Sequence, residues 1–197
     1  PLLLQCQRLA EALASIGAPL PPETVAALEA LSEIKEDVVI TRKVQELLDP
    51  QCIAAFEINE DGKRMATPAL NGIELEENGW RTVLVKVINK AAVVSRLRIG
   101  SPAARPLPRA PLEEVPERWM ELSVFDGRPL AGELSGLELE YRVIQISAIG
   151  EGEKSGEIEF NIGGLPGATS GVIREWRFVK DTDGWEKPNC GTVEVKD

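Results

Sequence analysis

From Cys52 onward the apolar residues of this chain recur at every second position, whereas before Cys52 they recur at every third or fourth. A strand turns successive side chains to opposite faces, while a helix brings residues three and four apart onto one face. The change of period therefore sets two kinds of structure side by side. A helical segment is expected over 1–49 and a β domain over 50–197.

In the first segment Leu2, Cys6, Leu9, Leu13 and Ile16 share a helical face, with Gln7, Arg8 and Glu11 off it. Gly17 and Pro19 stop that helix. Pro21-Pro22-Glu23 opens a second, because proline loses nothing in a first turn and an acid there suits the helix dipole. Its apolar face is Val25, Leu28 and Leu31. A third run carries Val38, Thr41, Val44, Leu47 and Leu48 and ends at Asp49-Pro50. Three short amphipathic helices are marginal alone and need something to pack on.

Beyond them, Cys52, Ala54, Phe56 and Ile58 fall on one face of a strand. Asn59-Glu60-Asp61-Gly62 reads as a hairpin turn into 63–67. Residues 81–89 form the clearest strand, rich in β-branched side chains. Further strands are expected over 93–99, 119–125, 137–149, 157–162, 172–180 and 192–195, with 157–162 paired to 137–149. Short strands and polar turns with no helix between them predict an antiparallel β-sandwich, immunoglobulin-like or Greek-key, behind the three-helix lead-in. Residues 101–116 hold prolines at 102, 106, 108, 111 and 116, which bars them from a ladder, and the glycine-rich stretch 163–171 reads as a loop.

Composition then narrows the chemistry. The chain contains 0 histidines. That excludes a Ser-His-Asp triad, a Cys-His pair and an HExxH zinc site, and leaves carboxylate chemistry, an all-oxygen cation site or binding alone. The net charge is -10, from 22 basic and 32 acidic residues, so a nucleic acid or an anionic membrane is not an expected partner. No apolar run is long enough to span a bilayer. Cys6, Cys52 and Cys190 show no CxxC spacing, and Cys6 and Cys52 read as small buried hydrophobes.

Four features remain as sites. Asp181-Thr182-Asp183-Gly184 has the opening spacing of a calcium loop, but Trp185 occupies the fifth position and no acid stands at the twelfth, so Asp181 and Asp183 are weak metal candidates and a hairpin turn is the simpler reading. Gly163-Gly164-Leu165-Pro166-Gly167 lacks the GK[ST] ending of a phosphate loop. The acid pairs Glu138/Glu140 and Glu157/Glu159 read as solvated sheet faces rather than a glycosidase pair. Among Trp80, Trp119, Trp176 and Trp185, the last sits at a turn and is the candidate for ligand stacking, with Trp80 and Trp119 as anchors at the rim of the sandwich.

A set of framework motifs carries a resemblance. Leu48-Asp49-Pro50-Gln51-Cys52, Glu57-Ile58-Asn59, and Gly79-Trp80-Arg81 running into Leu84-Val85-Lys86-Val87 with Asn89 occur in order. Arg118-Trp119, Phe125-Asp126 and Leu134-Ser135-Gly136-Leu137 with Leu139-Glu140-Tyr141-Arg142 follow. Over about residues 1 to 162 this order resembles the N-terminal, non-catalytic region of bacterial carbaryl-hydrolase-like metallohydrolases, whose catalytic domain is of the PHP (polymerase-and-histidinol-phosphatase) type. After Gly163 the likeness fades, since 164–171 and Val172-Ile173-Arg174-Glu175-Trp176 replace the family's own turn and run.

The resemblance implies an accessory module at the front of a larger, exported hydrolase, in the periplasm or outside the cell after signal removal. Its partners would be other domains of the parent protein, with a homodimer also admitted, and no catalytic residue or cofactor is expected. Two rival readings are a free-standing glycan or surface-ligand binding module using Trp185, and a carboxylate-based hydrolase.

Overall fold

The structure, a computed structural model, describes residues 1–68, 75, 79–104, 118–149, 154–163, 171–181 and 184–186, with the backbone alone for 154, 155 and everything from 171 onward. Helix α1 (Leu2–Ser15) buries Cys6, Leu9, Ala12 and Leu13 along the predicted stripe. It closes in a Schellman turn: Gly17, at φ 76°, donates its N–H to the Ala14 carbonyl at 3.2 Å, and Ala18 donates to that of Leu13 at 3.0 Å. Helix α2 (Pro22–Ala30) starts on its proline with Glu23 in the first turn and buries Leu28. Helix α3 (Asp37–Leu48) buries Val44 and Leu48. Val38 departs from expectation at 82% exposed. At 3.6 residues per turn it lies roughly 120° round from Val44, and Ile40 packs against the core instead.

The remainder is mainly β. Strand β1 (Cys52–Ile58) and strand β2 (Arg64–Pro68) form the expected antiparallel hairpin, closed by Asn59 N–H on the Lys63 carbonyl at 2.8 Å and by Gly62 at φ 81°. Strands β3 (Trp80–Asn89), β5 (Met120–Val124) and β6 (Leu139–Ala148) join them in a five-stranded sheet of order β2-β1-β3-β6-β5. Strands β4 (Leu97–Gly100), β7 (Lys154–Ile162), β8 (Gly171–Asp181) and β9 (Gly184–Glu186) form a second sheet in that order.

Three expectations are corrected. The large sheet is mixed, not antiparallel throughout, because β1 and β3 run parallel. The cause is parity: β2 reverses on one flank of β1, so a strand arriving on the other flank runs the same way as β1. Strand β7 pairs with β4 and β8, not with β6. And Cys52 does not share a face with Ala54, Phe56 and Ile58, since a register shift between Cys52 and Ala54 turns it to the opposite side. The expected strand 192–195 lies outside the described residues.

Two cores use the two faces of the large sheet. On one, Phe56, Ile58, Val83, Val85, Val87, Ile144 and Ile146 meet Leu97 of β4 and Ile158, Phe160 and Ile162 of β7. Phe56 and Phe160 stack across it with ring centroids 5.6 Å apart. Arg64 adds a polar link, donating to Asn161 Oδ1 at 2.6 Å. On the other face, Leu84, Tyr141, Val143 and Cys52 receive Cys6, Leu9, Leu13, Leu28, Val44 and Leu48 from the helices. The three helices thus pack on the face of the sheet that β7 leaves open.

Candidate functional site

The helix-covered face is joined by polar contacts as well as apolar ones. Strand β5 stops beside Ile144, the Phe125 N–H still donates to the Val143 carbonyl at 2.9 Å, and the β6 edge beyond that has no strand beside it among the described residues. Gln5 of α1 fills the gap: its carboxamide donates to the Tyr141 carbonyl at 2.6 Å and accepts the Tyr141 N–H at 3.3 Å. The Tyr141 hydroxyl, fully buried, donates to Asp49 Oδ1 at 2.7 Å. Lys86 Nζ donates to Asp49 Oδ2 at 2.7 Å and to Gln45 Oε1 at 2.8 Å. Burial first, and then the Asp49 carboxylate accepting its proton, holds the Tyr141 phenol far above its ordinary range. Cys6 is pushed up to about 12 by burial, and Cys52 up to about 12 by burial and then by the charge of Asp49. Such groups neither ionise nor attack at neutral pH.

A second polar cluster lies on the other face of β6. Glu140, read from sequence as part of a solvated face, is 0% exposed, and Arg142 is 2% exposed. Both Glu140 oxygens accept the Ser135 N–H, at 3.0 and 3.2 Å. Arg142 donates to the carbonyls of Glu133 at 3.2 Å and Ala131 at 2.6 Å, and its Nη1 lies 3.9 Å from Glu140 Oε2. Burial raises the Glu140 carboxyl above its ordinary value, against the opposing pull of the Ser135 N–H and Arg142. Period two assigned Glu140 to a face but could not show that residues 131–135 fold over that face. The apolar Ile144 and Ile146 two and three positions down the same alternation were the available signal.

Of the residues expected to bind ligands, Asp181 and Trp185 belong to the second sheet, whereas both clusters are built on β6 of the first. Asp181 is the last residue of β8 and pairs with Gly184, as a hairpin demands, while Asp183 lies outside the described residues. Trp185 is not in the turn but in β9, opposite Lys180. Trp119, at 8% exposed, is buried, and Trp176 pairs with Gly156. Of the two tryptophans whose side chains are described, Trp80 is the exposed one, at 53%.

Trp80 opens into a groove of about 510 Å³. Strand β1 begins opposite Leu84, so residues 80–83 outrun it, and the helices cover only the far half of this face. Trp80, Thr82 and, on β6, Gln145 line the uncovered half. The Schellman turn of α1 and the prolines 19 and 21 form one wall, and Pro50, Gln51 and Cys52 another. Arg81 lines it too and makes no ion pair among the described residues. Among the described residues no carboxylate lines it. Three other depressions each carry acids: Asp37 and Glu138, Glu11 and Glu29, Glu46 and Asp49.

Fold and site together define a mainly β domain with a three-helix cover on one sheet face. No family model and no curated protein matches the chain. Among solved structures the chain is similar to the crystal structure of the S-layer protein rSbsC(31-844), at 10% identity and a TM-score of 0.31, over 66% of this chain and 19% of that one. At that TM-score the likeness assigns neither fold family nor function. No helix among the described residues is long and apolar enough to cross a membrane.

Proposed function

We propose that this chain is a non-catalytic accessory module of a larger, exported PHP-type metallohydrolase, serving domain packing, dimerisation or substrate positioning. One observation carries the reading. Among the described residues, the buried Tyr141, Glu140 and Arg142 bond to backbone or side chains of neighbouring segments and act as struts between them. A buried acid held on a loop N–H and a buried phenol held on a helix-end carboxylate maintain geometry; neither lines a groove among the described residues. The framework motifs of the sequence support the same reading, since Asp49, Lys86, Glu140, Tyr141 and Arg142 all belong to them. For the fold family, an immunoglobulin-like or Greek-key sandwich is supported by the two sheets meeting over one core, although its large sheet contains a parallel pair.

The test is the coding sequence beyond Asp197, followed by assay of the longer protein. An in-frame domain rich in His and Asp, with metal-dependent hydrolase activity absent from this chain alone, is the expected result. Turnover by this chain alone, lost on Glu140→Gln, would show that the buried carboxyl is catalytic and overturn the proposal.

A further inference from the structure

We propose that the open half of the helix-side sheet face binds a neutral saccharide, with a pyranose ring on Trp80 and its hydroxyls on Thr82 and Gln145. Side chains alternate along β3, so Trp80 and Thr82 share the face of Leu84, toward the helices, whereas Arg81 has the parity of Val83 on the opposite face. On β6, Gln145 has the parity of Val143 and lies directly opposite Thr82, and Ser123 of β5 lies opposite Gln145 in turn. Register thus sets an indole, a hydroxyl, a carboxamide and a second hydroxyl on one side of neighbouring strands. Thr82 stands ~7 Å from Trp80 along the strand and ~5 Å from Gln145 across it, so a ring lying on the indole has its edge beside both. Trp80 is 53% exposed, and its groove of about 510 Å³ lies within the range of small-ligand clefts.

The chemistry of these groups selects the ligand. A flat indole is covered by the C–H face of a pyranose ring. A threonine hydroxyl and a glutamine carboxamide each donate and accept, as sugar hydroxyls do, so they pair in either sense. A purely apolar ligand would strip their water and replace nothing. Charge argues against an acidic sugar: the chain has a net charge of -10, and Glu74, Glu76 and Glu77 directly precede Trp80 in the sequence. A proline-rich peptide, another partner of exposed indoles, docks into grooves lined by several aromatic rings. Trp80 is the one aromatic side chain among the described residues of this groove, and 69–79 contain none.

Calorimetric titration of the whole chain with cellotetraose, mannotetraose, tetragalacturonate and hexaproline tests this. A neutral tetrasaccharide is expected to bind, with an affinity that added salt leaves unchanged. Trp80→Leu should weaken it by at least about tenfold, whereas Trp80→Phe, which keeps a flat ring, should lose less. Thr82→Val keeps the β-branched shape, removes one hydrogen bond and should weaken binding by about threefold or more. Should a Trp80 variant fail to fold, Thr82→Val and Gln145→Leu carry the same comparison. Binding of neither neutral tetrasaccharide, binding indifferent to the variants, or preference for tetragalacturonate or hexaproline would each overturn the assignment. Those outcomes would leave the accessory role standing, since that role is tested by the coding sequence beyond Asp197.

Discussion

Tyr141 is the residue on which most of the helix–sheet contact converges. Its backbone holds Gln5 and its hydroxyl holds Asp49, which in turn holds Lys86. Tyr141→Phe leaves the ring in place and removes one hydrogen bond to a charged acceptor, so a loss of about 1.5–3 kcal/mol is expected in denaturant unfolding. Glu140 bears on pH. Its folded carboxyl titrates above the ordinary value of 4.5, so the folded protein binds the proton more readily than the unfolded chain. The resulting stabilisation is full below 4.5 and is lost as pH rises through the raised folded value. The unfolding free energy of the protein should therefore fall relative to that of Glu140→Gln as pH rises across that window. Parallel curves would mean that Glu140 titrates normally. Neither role could be read from the residue type, since Tyr141 on an alternating strand is an ordinary core residue until Asp49 is brought to it.

At the scale of elements, the periodicities placed all three helices and most strands. The failures have local causes. Val38 fits a generous helical stripe but lies too far round the helix, Cys52 is turned over by a register shift, and Trp185 pairs with Lys180 inside strand β9. Strand β7 shows a constraint that period alone cannot express. A Cβ at Gly156 would stand 3.0 Å from the Trp119 ring and 3.1 Å from the Met120 methyl. The glycine thus admits Trp119 to its buried position against β7. Gly156→Ala should cost about 1–3 kcal/mol through overpacking, and Trp119→Phe should recover part of it by making room. Thermal melts of the single and double variants check this, and additive losses would rule out the contact as the cause.

For the whole molecule, the second core is what matters, because Leu84, Tyr141 and Val143 of the sheet are buried by Cys6, Leu9, Leu28, Val44 and Leu48 of the helices. Removing residues 1–49 would bare that face, so the 50–197 fragment is expected to aggregate or to lose its sharp thermal transition. In the intact chain, helical circular dichroism and tryptophan fluorescence should report one coincident unfolding. A folded, monomeric 50–197 fragment would show that the helices are dispensable. The sequence by itself determined which segments are helix and which are strand, where the helices stop, and that imidazole chemistry is absent, because these follow from local spacing and residue type. Only the tertiary structure decided that β1 and β3 run parallel, that β7 leaves β6 for another sheet, that Glu140 is buried, and that Trp80 rather than Trp119 faces water. Those depend on which faces meet across the fold, and a face carries no record in the sequence of what will cover it.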